Sequence, residues 1–68
     1  MPYDKNSELP DSVRNNLPEG AQDIYREAFN SAWDEYADRD DQDATAHKVA
    51  WSAVKKRYQK RDDRWVEK

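Results

Sequence analysis

From Ala21 onward, apolar side chains fall at Ile24, Tyr25, Ala28, Phe29, Ala32, Trp33 and Tyr36. This is the i, i+3, i+4 spacing of one helical face, sustained for about four turns, and it predicts an amphipathic helix. A second stripe, Ala46, Val49, Ala50, Ala53, Val54 and Tyr58, predicts another helix, capped by Asp43 or Thr45. Lys55, Lys56, Arg57, Lys60 and Arg61 are placed in its last turns, where cations meet the negative end of the helix. Small alanines dominate the second stripe, so the two helices can approach closely and fold back as an antiparallel pair. Between them the run Asp38 to Asp43 has no apolar residue and reads as a solvated connection. Phe29, Trp33, Val49 and Ala53 are expected to share one core.

Upstream, Leu9-Pro10 and Leu17-Pro18 bracket Val13. Asp11 or Ser12 can cap a short helix over Asp11–Asn16, ended by Pro18, and Glu19-Gly20 reads as the break before the long helix. Downstream, the pattern lapses at Asp62-Asp63 and apolar character returns at Trp65-Val66, while Tyr3 stands at the other end. The expectation is a mainly α fold, a small bundle of about three helices with a minor two-stranded sheet pairing the termini, as a single domain over residues 1–68.

Length sharpens this picture, because a chain of 68 residues buries only about 60% of the surface it exposes when unfolded. With no cysteine and one histidine, neither disulfides nor a Cys/His metal set can staple it. Core volume must come from three Trp, four Tyr and one Phe. Residues 1–10 are polar and lack the apolar core of a leader, and no apolar run approaches the roughly 20 residues of a bilayer span. The chain is therefore expected to be a soluble cytoplasmic monomer that does not insert in a membrane. Its net charge of −3 is unevenly spread: residues 1–44 carry 4 basic and 12 acidic side chains, residues 45–68 carry 8 and 3. Such asymmetry speaks to partners more than the overall balance does.

Asp38, Asp40, Asp41 and Asp43 are the oxygen donors a hard cation would want. The calcium-loop pattern fails, since the sixth position from Asp38 is not glycine and the twelfth is Val49 where a bidentate Glu is required. His47, the sole histidine, falls beside Trp51, Val54 and Tyr58 at the edge of the apolar stripe, which suits packing or recognition. Trp51 lies on the flank of its helix, as a cover for the core or an anchor for a partner. Asn30 projects from the polar face of the first long helix, solvated or locally bonded. Lys55, Lys56, Lys60 and Arg61, with Tyr58 and Trp65 interleaved, form either a solvated face or a site for an anionic partner, protein or nucleic acid. Catalysis finds no footing: there is no cysteine nucleophile, no Ser/His pair with a readable orienting group, and one glycine in the whole chain. No cofactor is implied.

Taken together, several blocks carry a resemblance. Met1-Pro2-Tyr3, the two Leu-Pro pairs, Ala21-Gln22-x-Ile24-Tyr25-x-x-Ala28-Phe29-Asn30-x-Ala32-Trp33, and Thr45-Ala46-His47-Lys48-Val49-Ala50-Trp51-x-Ala53-Val54-Lys55 with a terminal Trp65 resemble the ChaB family. The resemblance implies a bacterial cytoplasmic bundle of three helices with a small sheet. By name and gene neighbourhood it links the chain to a cation/proton antiporter, so that the implied role is a non-enzymatic interaction domain docking on the antiporter's cytoplasmic surface. The alternative is a nucleic-acid-associated accessory protein using the basic C-terminal third. Candidate partner-binding residues are Asn30, His47, Trp51, Lys55, Lys56, Lys60 and Arg61.

Overall fold

The computed structural model describes residues 2–68. A single 3₁₀ turn at Asn6–Glu8 leads into α1 (Asp11–Arg14), α2 (Glu19–Glu35) and α3 (Gln42–Arg57), followed by strands β1 (Tyr58–Arg61) and β2 (Arg64–Glu67).

Helix α1 is shorter than the expected Asp11–Asn16, although its backbone bonding runs on to Leu17 N–H, which donates to Val13 C=O at 3.0 Å. Neither Asp11 nor Ser12 caps it; Pro10 holds the N-cap position with extended backbone and no side-chain bond. Val13 and Leu17, four residues apart, are both buried against α2, as the spacing requires.

Helix α2 begins earlier than the periodicity suggests. Pro18 occupies the N-cap, and Glu19 and Gly20, read above as a break, form the first turn. The reason Gly20 is a glycine lies in packing: a Cβ there would overlap the Tyr58 hydroxyl. Ala21, Tyr25, Phe29 and Ala32 are buried along its length. On α3 the buried positions are Ala46, Ala50 and Val54. Asp41 rather than Asp43 or Thr45 takes the N-cap, without a side-chain bond.

The two long helices run antiparallel, as their contacts show in order. Gln42 Nε2 donates to Trp33 C=O at 2.8 Å near the connection, His47 and Trp51 meet Tyr25 midway, and Tyr58 meets Gly20 at the far end. In the connection itself Arg39 forks onto the Asp41 carboxylate at 2.9 and 3.2 Å. That hydrogen bond, before any other influence, holds the Asp41 carboxyl below its ordinary range.

Phe29 lies in the core while Trp33 and Val49 pack at its edge. Ala53, expected beside them, is partly exposed, and the buried stripe of α3 runs instead through Ala46, Ala50 and Val54.

The sheet is present but joins different segments from those expected. β1 and β2 pair with each other, antiparallel, with Tyr58 opposite Glu67, Gln59 opposite Val66, Lys60 opposite Trp65 and Arg61 opposite Arg64. Asp62 and Asp63 make the two-residue turn, both at positive φ (49° and 68°). Two successive left-handed residues are the signature of the tight hairpin turn whose twist matches the strands, and aspartate tolerates that conformation better than most residues. Consequently Lys60 and Arg61 lie on β1 and not in the last turns of α3.

Candidate functional site

Tyr3, expected to pair with the C-terminus, is instead held by α2. The Asn30 side chain donates from Nδ2 to Tyr3 C=O at 2.7 Å and accepts from Tyr3 N–H at 3.2 Å, as a neighbouring strand would. The Tyr3 ring then lies over Phe29, centroids 5.0 Å apart. Asn30 is 3% exposed, the one buried polar side chain among the described residues. The expectation that Asn30 is solvated or locally bonded on a polar face is therefore corrected: its amide is buried, and its oxygen and nitrogen are both spent on the backbone of Tyr3, 27 residues away.

Midway along the helix pair an aromatic cluster forms around His47. The Trp51 indole N–H donates to His47 Nε2 at 2.9 Å, and the Tyr25 hydroxyl lies against His47 Nδ1. An indole N–H can only donate, so Nε2 must carry the lone pair; the neutral ring then bears its proton on Nδ1 and donates to the Tyr25 oxygen. Tyr25 itself is fully buried. Burial first, and the nearby Tyr3 second, push its phenol well above the ordinary range. His47 thus supplies a donor to the oxygen of a buried phenol.

Trp51 is half-buried and continues outward to Trp65, ring centroids 5.6 Å apart. The hairpin is folded back so that this indole of β2 covers the flank of α3. At the base of the hairpin Tyr58 is buried, and burial followed by the Glu67 carboxylate raises its phenol.

Around these rings lie the cations. Lys55, Lys56, Lys60 and Arg61 are all exposed. The ion pairs among the described residues join Arg14 to Asp11, Arg26 to Asp23 and Arg39 to Asp41. None involves any of the eight basic residues of the C-terminal third. Lys48 was missed among the candidates. Its signal was available, because three residues before Trp51 is the adjacent position on the same helical face. Of the seven candidates, the structure gathers His47 and Trp51 with Lys55 and Lys60 near one flank, sets Lys56 and Arg61 further round, and withdraws Asn30. Among the described residues no three His, Cys, Asp or Glu side chains come together to hold a metal ion. No helix among them is long and apolar enough to cross a membrane.

The ChaB family model matches residues 9–68. The chain belongs to the ChaB family. It is 56% identical to the proposed cation transport regulator ChaB of Escherichia coli strain K12, over 75 aligned positions covering all of this chain and 99% of that protein. A relative of the same description from Shigella flexneri gives the same figures. The solution NMR structure of a ChaB protein matches with a TM-score of 0.87 at 55% identity, over 98% of this chain and 99% of that one. Three helices with a small antiparallel sheet are thus the ChaB fold, and this chain has it. The names of these relatives describe a regulator of cation transport and not an enzyme, and they lend no support to the nucleic-acid alternative.

Proposed function

We propose that this chain is a cytoplasmic, non-enzymatic interaction domain that regulates a cation/proton antiporter by docking on its cytoplasmic surface. The observation that carries this reading is the set of eight basic side chains in the C-terminal third, all without an ion-pair partner among the described residues, in a chain whose net charge is negative. Cations left free at one end of a small domain favour encounter with an acidic surface and set the docking orientation. The acidic connection lies at the other end of α3, about 20 Å from Lys55 along the helix axis, which is beyond a Debye length of about 8 Å at physiological salt. The acidic connection and the basic end therefore act independently, while Asp23 and Glu27 of α2 lie close to that basic end. The description of relatives as regulators of cation transport supplies the class of target.

The test is ion flux through a candidate antiporter in inverted membrane vesicles, with and without the purified domain. Wild-type protein is expected to change the flux, and a variant with Lys55, Lys56, Lys60 and Arg61 all replaced by Glu is expected to have no effect while melting at the same temperature. Flux indifferent to the wild-type protein would sink the proposal.

A further inference from the structure

The flank of α3 carries an apolar platform whose surroundings specify what should cover it. Trp51 and Trp65 stand together there, both half-buried, with centroids 5.6 Å apart and planes inclined by 36°. On the inner side Trp51 meets Tyr25 and His47 at 74° and 76°. Its N–H is committed to His47. The Trp51 ring therefore presents to solvent an apolar surface with no polar demand left. On the same helix Lys48 and Lys55 are the three- and four-residue neighbours of Trp51. Across the hairpin ladder Lys60 stands opposite Trp65. All three lysines are exposed, none makes an ion pair, and none lies over either indole among the described residues.

We infer that this platform is the docking site for an acidic peptide segment of a partner protein, one that sets a large apolar side chain against Trp51 and Trp65 while its carboxylates meet Lys48, Lys55 and Lys60. An aromatic anchor at the centre of a charged rim is the arrangement in which a few residues carry most of the binding energy. The rim selects for negative charge, and the apolar centre demands something that a bare polyanion lacks. Nucleic acid is the poorer fit, because the two indoles are tilted against each other by 36° at 5.6 Å and offer no parallel pair of open faces on which successive bases could stack. The excess of acidic side chains in residues 1–44 also repels a long polyanion. The inference rests on the proposed function only in taking the partner to be a protein.

The experiment titrates the full-length ¹⁵N-labelled chain with a short synthetic peptide of Asp and Glu around one central Leu. Saturable shifts of the Trp51 and Trp65 indole N–H resonances are expected. Affinity should fall about tenfold when the Leu becomes Ser, and at least about tenfold in a Lys48→Glu, Lys55→Glu, Lys60→Glu variant that melts like the wild type. The inference is overturned by unmoved indole resonances, by equal affinity for the Leu and Ser peptides, or by undiminished binding of the reversed variant. Tighter binding of a single-stranded oligonucleotide or of phosphatidylglycerol vesicles than of the Leu peptide overturns it as well. Peptide binding without any effect on antiporter flux upholds the platform and refutes the antiporter reading, whereas a flux effect without peptide binding does the reverse.

Discussion

Replacing Asn30 by Ala should detach the N-terminal segment while leaving the helix pair standing. The amide makes two hydrogen bonds to the Tyr3 backbone, each worth about 0.5–1.5 kcal/mol net. Losing the clamp also frees the Tyr3 ring from Phe29, a contact worth about 0.5–1.5 kcal/mol. Release returns conformational freedom to the segment, which offsets part of the loss. The segment keeps two more holds on α2, Arg26 Nε donating to Asn6 Oδ1 at 2.9 Å and Asn6 Nδ2 donating to Asp23 Oδ1 at 2.6 Å. The net cost is on the order of 2–3 kcal/mol, and at about 4–8 °C per kcal/mol for so short a chain the melting temperature should fall by roughly 10–20 °C. Thermal melting followed by circular dichroism measures the total, and amide hydrogen exchange at Tyr3 reports the clamp directly. In a variant lacking residues 1–5 the same Asn30→Ala change should cost almost nothing, because the groups it served are gone. If the full-length variant melts within about 2 °C of wild type with Tyr3 exchange unaltered, the clamp contributes nothing and the argument fails.

Gly20→Ala gains about 0.5–1 kcal/mol of helix propensity but forces the new methyl against the Tyr58 hydroxyl, a clash costing about 1–3 kcal/mol, so the variant should melt lower. In a Tyr58→Phe background the same change should become stabilising; a stabilised single variant would show that the close approach is not real. Tyr25 supplies a pH dependence. Its folded-state phenol is raised above the ordinary value of about 10, so the native state holds its proton longer than the unfolded chain. That contribution is complete below about pH 10 and is lost as pH climbs from there through the folded value. Melting temperatures between pH 8 and 11 should therefore decline more steeply for wild type than for Tyr25→Phe, with a residual slope from Tyr58; parallel declines would contradict it.

How much of this was legible in the chain depended on whether a residue's role was set by its own helix. Ile24, Tyr25, Ala28, Phe29 and Ala32 announce α2 because burial on one face imposes a period that survives in the residue order. Gly20 misled for the opposite reason. Its presence reflects a side chain 38 positions away, and a glycine shaped by a distant hydroxyl looks the same as one that breaks a helix. Asn30 is similar, since a buried amide serving a passing backbone cannot be told from a solvated one until that backbone is placed. The hairpin, by contrast, leaves a signal in the residue order. Asp62-Asp63 between Tyr58–Arg61 and Arg64–Glu67 is a two-residue turn between segments of strand length, and the lapse in helical period was itself the turn signal. The cations were legible as a charge block, but their lack of partners was not, because pairing is a matter of geometry.

The order of contacts along the chain has a kinetic corollary. α1 rests on α2, α2 on α3, α3 on β1 and β1 on β2, so the helices and strands lean chiefly on their neighbours in sequence, and only the 3₁₀ turn reaches past α1 to α2. Chains built from such local pairings fold in microseconds to milliseconds, since little loop entropy is spent before contacts repay it. Of the long ties, Asn30 to Tyr3 can close only once α2 has formed, and Gly20 to Tyr58 only once the helix pair has. The two ends of the chain should then be the last to assemble and the first to open, fraying and resealing many times within the lifetime of the folded helix pair.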